Sequence, residues 1–87
     1  SPRFTFHNKR KWPGGILEVG LQAKDGNIVD LRFYGDFLSL TSLDEVENAL
    51  RGAPYRQDEL KQRLEALPLE RYFGTITLPE ILETLFV

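Results

Sequence analysis

The chain has no cysteine and only one histidine among its 87 residues. Without cysteine there is no disulfide framework, no thiolate nucleophile and no cysteine-ligated metal site. This composition is compatible with the cytosol, so we expect a cytoplasmic protein. No apolar run approaches the roughly 20 residues that a membrane-spanning helix needs, and no signal peptide is visible. We therefore expect no membrane partner.

Methionine is also absent, so Ser1 is not a translation start. We interpret the chain as a fragment or a processed product of a longer protein. Its length fits a single domain. We assign residues 1–15 to the end of an interdomain linker with a possible edge strand, and residues 16–87 to one domain.

The net charge of −2 is unevenly distributed, because all four charged residues in 1–13 are basic. The run Lys9-Arg10-Lys11-Trp12 is the strongest indication of nucleic-acid binding, since cations neutralise phosphates and an aromatic ring stacks on bases. The alternative is a solvated linker or edge that Trp12 anchors to the core. Four cations make a weak footprint beside an acidic body, so we expect no nucleic-acid partner and leave the role of this stretch open.

A β-hairpin is predicted from two alternating segments, 16–23 and 28–34, which Asp25-Gly26 joins. An Asp-Gly pair suits a type I′ turn, in which both central residues have positive φ. One face of the hairpin should be buried. Its predicted members are Leu17, Val19, Leu21, Ala23, Val29, Leu31 and Phe33.

Helical signals follow the hairpin. A capping box of Ser42 and Glu45 predicts a helix that starts near Leu43. The later segments are predicted at Arg56–Ala66, at Leu69–Phe73 as one turn, and after Thr77, where Glu80 completes a second capping box. Strands followed by helices indicate an α+β fold, here an N-terminal antiparallel hairpin or small sheet covered on one face by three C-terminal helices.

Few residues suggest chemistry. His7 is the only histidine, and a lone histidine in a basic segment is far more often a surface residue than a catalyst. The acids Asp44, Glu45 and Glu47 are better explained by the helix dipole than by a metal. We therefore assign no catalytic, cofactor-binding or metal-ligating residue.

The segment Gly35-Asp36-Phe37-Leu38 at the exit of the hairpin has two interpretations. It could present apolar surface to a partner, to which Phe37, Leu38 and the nearby Leu40 contribute, and this makes it our candidate for an interdomain contact. Alternatively, Gly35 permits a turn, Asp36 binds nearby backbone amides and Phe37 fills the core.

The order of these motifs resembles the C-terminal domain of bacterial lipoate–protein ligases, especially those of Gram-positive type. The matching landmarks, in order, are Ser1-Pro2 with Phe4, Gly15 before a strand, the hairpin Lys24–Ile28, Tyr34–Phe37, Leu50-x-Gly52, Tyr55, and Tyr72-Phe73-Gly74-x-Ile76-Thr77. Two features depart from the family pattern. Leu38 stands where a second aromatic is common, and the stretch from His7 to Trp12 is more basic than expected.

The resemblance implies a function for the parent protein. Such ligases activate lipoate with ATP and magnesium to lipoyl-AMP, then transfer the lipoyl group to a lysine of an acceptor domain. The acceptors are the E2 components of 2-oxoacid dehydrogenases and the H protein of the glycine cleavage system.

For the small domain itself, the resemblance implies a lid on the catalytic domain of the same ligase, with no cofactor of its own, and a fold similar to that of iron–sulfur cluster scaffold proteins. The chain alone would then not be an enzyme. A stand-alone protein-interaction module and a small nucleic-acid-binding domain remain as alternatives.

Overall fold

The computed structural model describes residues 5–87, in which three antiparallel strands precede four helices. The strands are β1 (Phe6–Trp12), β2 (Gly15–Lys24) and β3 (Asn27–Gly35), and the helices are α1 (Asp44–Leu50), α2 (Gln57–Glu65), α3 (Leu69–Phe73) and α4 (Leu78–Phe86). The predicted α+β class is confirmed. The single turn predicted over Leu69–Phe73 forms α3, so four helices rather than three follow the sheet.

The sheet has the order β1-β2-β3, with both connections antiparallel. The predicted hairpin is β2 and β3, and its turn has positive φ at Asp25 (54°) and Gly26 (81°). These are the two positive angles that a type I′ turn requires.

The N-terminal segment is more regular than the sequence indicated. Residues 6–12 pair with β2 along the whole strand, from Phe6 opposite Leu21 to Trp12 opposite Gly15. Alternate side chains of β1 are half-buried on the helix side, and these are Phe6, Asn8, Arg10 and Trp12. Two of the four are polar, which is why the apolar alternation of an ordinary strand is missing here. The predicted contribution of Phe4 lies outside the described residues.

The core lies between one face of the sheet and the helices. From the hairpin, Leu17, Val19, Leu21 and Leu31 are fully buried and Phe33 is 6% exposed, as predicted. The helical side and its connections contribute the rest: Val46, Leu50, Ala53, Leu60, Leu64, Tyr72, Phe73, Ile76, Ile81, Leu82 and Leu85. Ala23 is only partly buried at the edge of this cluster.

One core prediction is wrong. Val29 is 53% exposed, and its neighbour Ile28 is buried instead. The pairing changes register between Gln22, which lies opposite Asp30, and Ala23, which lies opposite Ile28. Val29 is therefore the extra residue of a β-bulge, and a bulge reverses the in–out alternation beyond it.

Of the two capping boxes predicted from the sequence, the one at α4 forms and the one at α1 does not. At α4, Thr77 and Glu80 form the predicted capping box. At α1, the predicted box is wrong, because the cap is Leu43 and no side chain caps it. The Oγ of Ser42 accepts a hydrogen bond from the amide of Asp44, 3.1 Å away. Ser42 lies one residue too early to cap a helix that begins at Asp44.

Glu47 has a role that its position in the first turn does not reveal. Its side chain is buried, and Oε2 accepts a hydrogen bond from the amide of Phe33 at 2.9 Å. Because β3 is an edge strand, this amide has no strand partner, and the carboxylate supplies one. Glu47 thereby joins α1 to the edge of the sheet.

Candidate functional site

The candidate contact segment leaves β3 through two close backbone approaches. A Cβ on Gly35 would overlap the carbonyl oxygen of Ile16, and one on Gly15 would lie 2.6 Å from that of Asp36. Only glycine fits at such distances. Asp36 Oδ1 accepts a hydrogen bond from the amide of Ile16 (2.7 Å), and the amide of Asp36 donates to the carbonyl of Ile16 (3.2 Å). Gly35 and Asp36 therefore fix the turn.

Phe37 also belongs to the interior of the fold. Its ring stacks on Phe73, with the centroids 5.7 Å apart and the planes at 29°. Phe73 is fully buried and makes an edge contact with Phe33 at 5.4 Å. Three of the four candidate residues thus serve the structure, which agrees with the second interpretation given above for Gly35, Asp36 and Phe37.

The fourth candidate differs. Leu38 is 75% exposed and Leu40 is 72% exposed. We call these two side chains the leucine pair. Their backbone is nevertheless held in place, since the amide of Leu40 donates to the carbonyl of Arg71 at 2.8 Å. A Cβ on Gly74 would lie 2.6 Å from the carbonyl oxygen of Leu38, so the loop also packs backbone-to-backbone on the end of α3. The fold presents two apolar side chains on a fixed loop.

Two depressions flank the helices. One, of about 650 Å³, is shallow and lies between the end of β3 and the start of α1. The other, of about 730 Å³, is a groove between α2 and α4 lined in part by Leu78, Leu82 and Phe86. Within residues 5–87, no group of three or more histidine, aspartate or glutamate side chains is placed to hold a metal ion.

The basic run is divided between the two faces of the sheet. Arg10 points towards the helices, where its Nη2 lies 2.9 Å from Oε2 of Glu83 and its guanidinium lies 4.8 Å from the centre of the Trp12 ring. Trp12 Nε1 donates to the buried Oγ1 of Thr84 at 2.9 Å. Trp12 therefore anchors the strand to α4. Lys9 and Lys11 are exposed on the opposite face.

His7 has one partner among the described residues, Glu18, whose Oε2 lies 2.5 Å from Nε2. The side chain of His7 is 54% exposed. No serine or threonine hydroxyl in residues 5–87 forms a hydrogen bond with His7, so the geometry of a catalytic triad is missing there.

Two ionisable groups are perturbed for structural reasons. The hydrogen bond from Arg51 lowers the pKa of Asp30, with the two side chains 2.8 Å apart at the β3 edge. Burial raises the pKa of Tyr55, whose hydroxyl donates to the carbonyl of Leu85 at 2.6 Å and whose ring stacks on Phe86. In the part of the chain that the structure describes, no helix is long and apolar enough to cross a bilayer.

The sequence of the chain matches the family model described as "Bacterial lipoate protein ligase C-terminus" over residues 1–85. The chain belongs to this family. It is 33% identical over 86 residues to lipoate-protein ligase LplJ of Bacillus subtilis, covering 99% of this chain and 26% of that protein. It is 36% identical to a probable lipoate-protein ligase A of Mycoplasma pneumoniae, covering 95% of this chain and 25% of that protein.

The fold is also found in a solved structure. The chain superimposes on P. falciparum LipL1, crystallised in complex with lipoate, with a TM-score of 0.72 and 19% identity, over 95% of this chain and 24% of that one. The chain therefore spans about a quarter of the length of the ligases it resembles. At 19% identity the likeness concerns the fold alone.

Proposed function

We propose that the chain is the accessory domain of a lipoate–protein ligase and acts as a lid on the catalytic domain of the same protein. The observation that supports this is the family match over residues 1–85, which corresponds to only about a quarter of each relative. The parent would activate lipoate with ATP and magnesium, then pass the lipoyl group to a lysine of an acceptor domain in the cytoplasm.

A lid suits the composition of the described residues. It excludes water and completes a site without supplying a reacting group. The hydroxyl of Thr84 binds Trp12, and the hydroxyl of Tyr55 donates to the carbonyl of Leu85. The side chain of His7 pairs with Glu18 on the surface. Binding of ATP, magnesium and lipoate is accordingly assigned to the catalytic domain.

We place the interdomain contact at the leucine pair, with Gly35, Asp36 and Phe37 as its support. Exposing two leucines on a fixed loop contributes little to folding, whereas burying them against a second surface would contribute roughly 1.5–3 kcal/mol each. Of the three apolar residues named from the sequence, Leu38 and Leu40 face outward, whereas Phe37 packs on Phe73.

The experiment uses the full-length parent ligase with Leu38→Asn and Leu40→Asn together. Pyrophosphate release with lipoate, ATP and magnesium measures activation, and a second assay measures transfer from preformed lipoyl-adenylate. We expect activation to fall by at least about tenfold, because each 1.4 kcal/mol of lost closing energy is a factor of ten and the two leucines together would contribute more than that. Transfer should be retained.

Val87→Asn is the matched control, because Val87 is also 75% exposed. It should leave both steps unchanged. Asp36→Ala and Phe37→Ala should instead lower the thermal stability of the domain. If the leucine-pair variant loses nothing, or loses both steps equally while folded, the lid contact is not at this loop.

A further inference from the structure

The face of the sheet that is turned away from the helices has an unusual charge pattern. Its side chains are His7, Lys9, Lys11, Ile16, Glu18, Gln22, Lys24, Asp30, Arg32 and Tyr34, as the alternation of β1, β2 and β3 dictates. We call this the open face. Lys9, Lys11 and Arg32 are all exposed on it.

Both carboxylates of the open face are already engaged. Glu18 pairs with His7, and Asp30 pairs with Arg51 at 2.8 Å. By contrast, Lys9, Lys11 and Arg32 form no ion pair with any residue in 5–87. Arg10, which belongs to the same basic run, differs from them because it forms an ion pair with Glu83 of α4.

The remainder of the domain has the opposite sign. Residues 36–87 contain ten acidic and five basic residues, whereas residues 5–35 contain five basic and three acidic ones. A chain with a net charge of −2 thus has a cationic sheet face opposite an acidic helical layer. Such a separation of charge orients an approaching partner and raises its rate of encounter.

The open face has the composition of a transient protein interface. Tyr34 is 47% exposed and lies across β2 from Lys9, with Glu18 between them. Aromatic and arginine side chains are enriched in protein–protein interfaces. Charged residues at the rim of an interface affect the association rate more than the dissociation rate. Nucleic acid fits less well, because the cations are few and the helical layer would repel phosphates.

We propose that the open face docks a carboxylate-rich surface of the lipoyl-acceptor domain, an inference that rests on the proposed function. The acceptor has to arrive and leave in every turnover, which suits a charged face. The catalytic domain stays tethered, which suits the apolar leucine pair. The open face would thus contact the acceptor, and the leucine pair would contact the catalytic domain.

The test uses the full-length ligase with Lys9→Glu, Lys11→Glu and Arg32→Glu combined, and the apo glycine cleavage H protein as the acceptor. At low salt we expect the KM for the acceptor to rise by about tenfold, with kcat retained. The difference from the unaltered enzyme should shrink as the salt concentration rises, because screening removes the steering. Pyrophosphate release without acceptor should not change.

The matched control is Arg56→Glu, Lys61→Glu and Arg63→Glu, which makes the same change in net charge through exposed cations of the helical layer. It should raise KM little. A second variant with glutamine at positions 9, 11 and 32 should give an intermediate KM, and it guards against misfolding of the reversed triple. Circular dichroism confirms the fold of each variant.

An unchanged acceptor KM in the folded glutamine and glutamate variants would overturn the proposal. So would an equal rise in the control, which would make the effect one of net charge. A loss of lipoate activation would assign the open face to the catalytic domain instead, and submicromolar binding of short RNA or DNA that the triple abolishes would assign it to nucleic acid. The proposed function fails separately, if removal of the whole domain leaves both activation and transfer intact.

Discussion

The hydrogen bond between Trp12 and Thr84 can be removed with almost no change of shape. Thr84 is fully buried on α4, and its Oγ1 accepts from Trp12 Nε1 at 2.9 Å while donating to the carbonyl of Glu80 at 2.8 Å. Thr84→Val keeps the branched side chain and removes the acceptor. The amide of Asn8 still donates to the backbone carbonyl of Thr84 at 3.1 Å. The substitution therefore removes both hydrogen bonds of Oγ1, and a double-mutant cycle is needed to isolate the contact with Trp12.

The expected cost is about 1 kcal/mol. A buried donor left without a partner costs roughly 1–3 kcal/mol, and the lower end applies because the partly exposed Trp12 can recruit water. A chain of this length has a total stability of about 4–13 kcal/mol, so the loss is measurable. Urea unfolding followed by tryptophan fluorescence and circular dichroism gives the free energy of unfolding, provided that the m value stays constant.

A double-mutant cycle with Trp12→Phe tests the reasoning. Phenylalanine has no N–H, so Thr84→Val in that background should cost about 1 kcal/mol less than in the unaltered chain. This coupling energy measures the Trp12 contact alone, because the hydrogen bond from Thr84 to Glu80 is lost in both backgrounds. Thr41→Val, an exposed control, should change stability by less than about 0.5 kcal/mol. If Thr84→Val costs the same with and without the indole, Trp12 is not anchored through this bond, and its role in the basic run has to be reconsidered.

Three further outcomes are expected. Leu31→Ala removes a fully buried side chain and should lower the free energy of unfolding by roughly 2–5 kcal/mol in the same urea assay; a smaller loss than 1 kcal/mol would contradict the core assignment. Asp30 has a lowered pKa because Arg51 holds its charged form, so its contribution is present above the ordinary value of 3.8 and is lost as the pH falls through the lower folded value. Asp30→Asn should therefore flatten the acid limb of the stability profile, and an unchanged limb would argue against the pair. The isolated chain should release no pyrophosphate from ATP with lipoate and magnesium, and turnover by the pure chain would contradict an accessory role.

The elements that sequence predicted correctly are those set by local chemistry. Asp25-Gly26 specifies its own turn, and Thr77 with Glu80 caps α4 from within a single turn of chain. Leu17 and Leu31 follow an alternation that needs no knowledge of the rest of the fold. Where a few neighbouring residues determine the local conformation, the sequence pattern is sufficient to predict it.

The elements that sequence missed depend on distant partners. Asn8 and Arg10 of β1 face the helices because they bind Thr84 and Glu83 of α4, which lie more than seventy residues further along the chain. The exposure of Val29 follows from a bulge that its own alternation conceals. None of these contacts leaves a periodic signal.

The candidate contact at Gly35–Leu38 stays a prediction. It was drawn from the apolar residues at a strand exit, but composition could not separate Phe37, which stacks on Phe73, from Leu38, which is exposed. The open face, to which we assign acceptor docking, was not singled out from the sequence, although its residues form the polar half of each alternating strand. What the sequence conceals is that Arg10 is neutralised and that Lys9 and Lys11 are not.

The loop after β3 is held by close backbone contacts at Gly15, Gly35 and Gly74. These contacts are distinct from the side chains that the loop exposes, Leu38 and Leu40. The nearest atom in each of the contacts is a carbonyl oxygen, that of Asp36, Ile16 or Leu38, and the side chains of Leu38 and Leu40 remain largely exposed. Under the proposed role, substitutions at these two positions would change what the loop contacts at little cost to folding. A parent ligase with a different catalytic surface could then adjust the contact through these two residues, and an engineer could place a new recognition pair there on an unaltered scaffold.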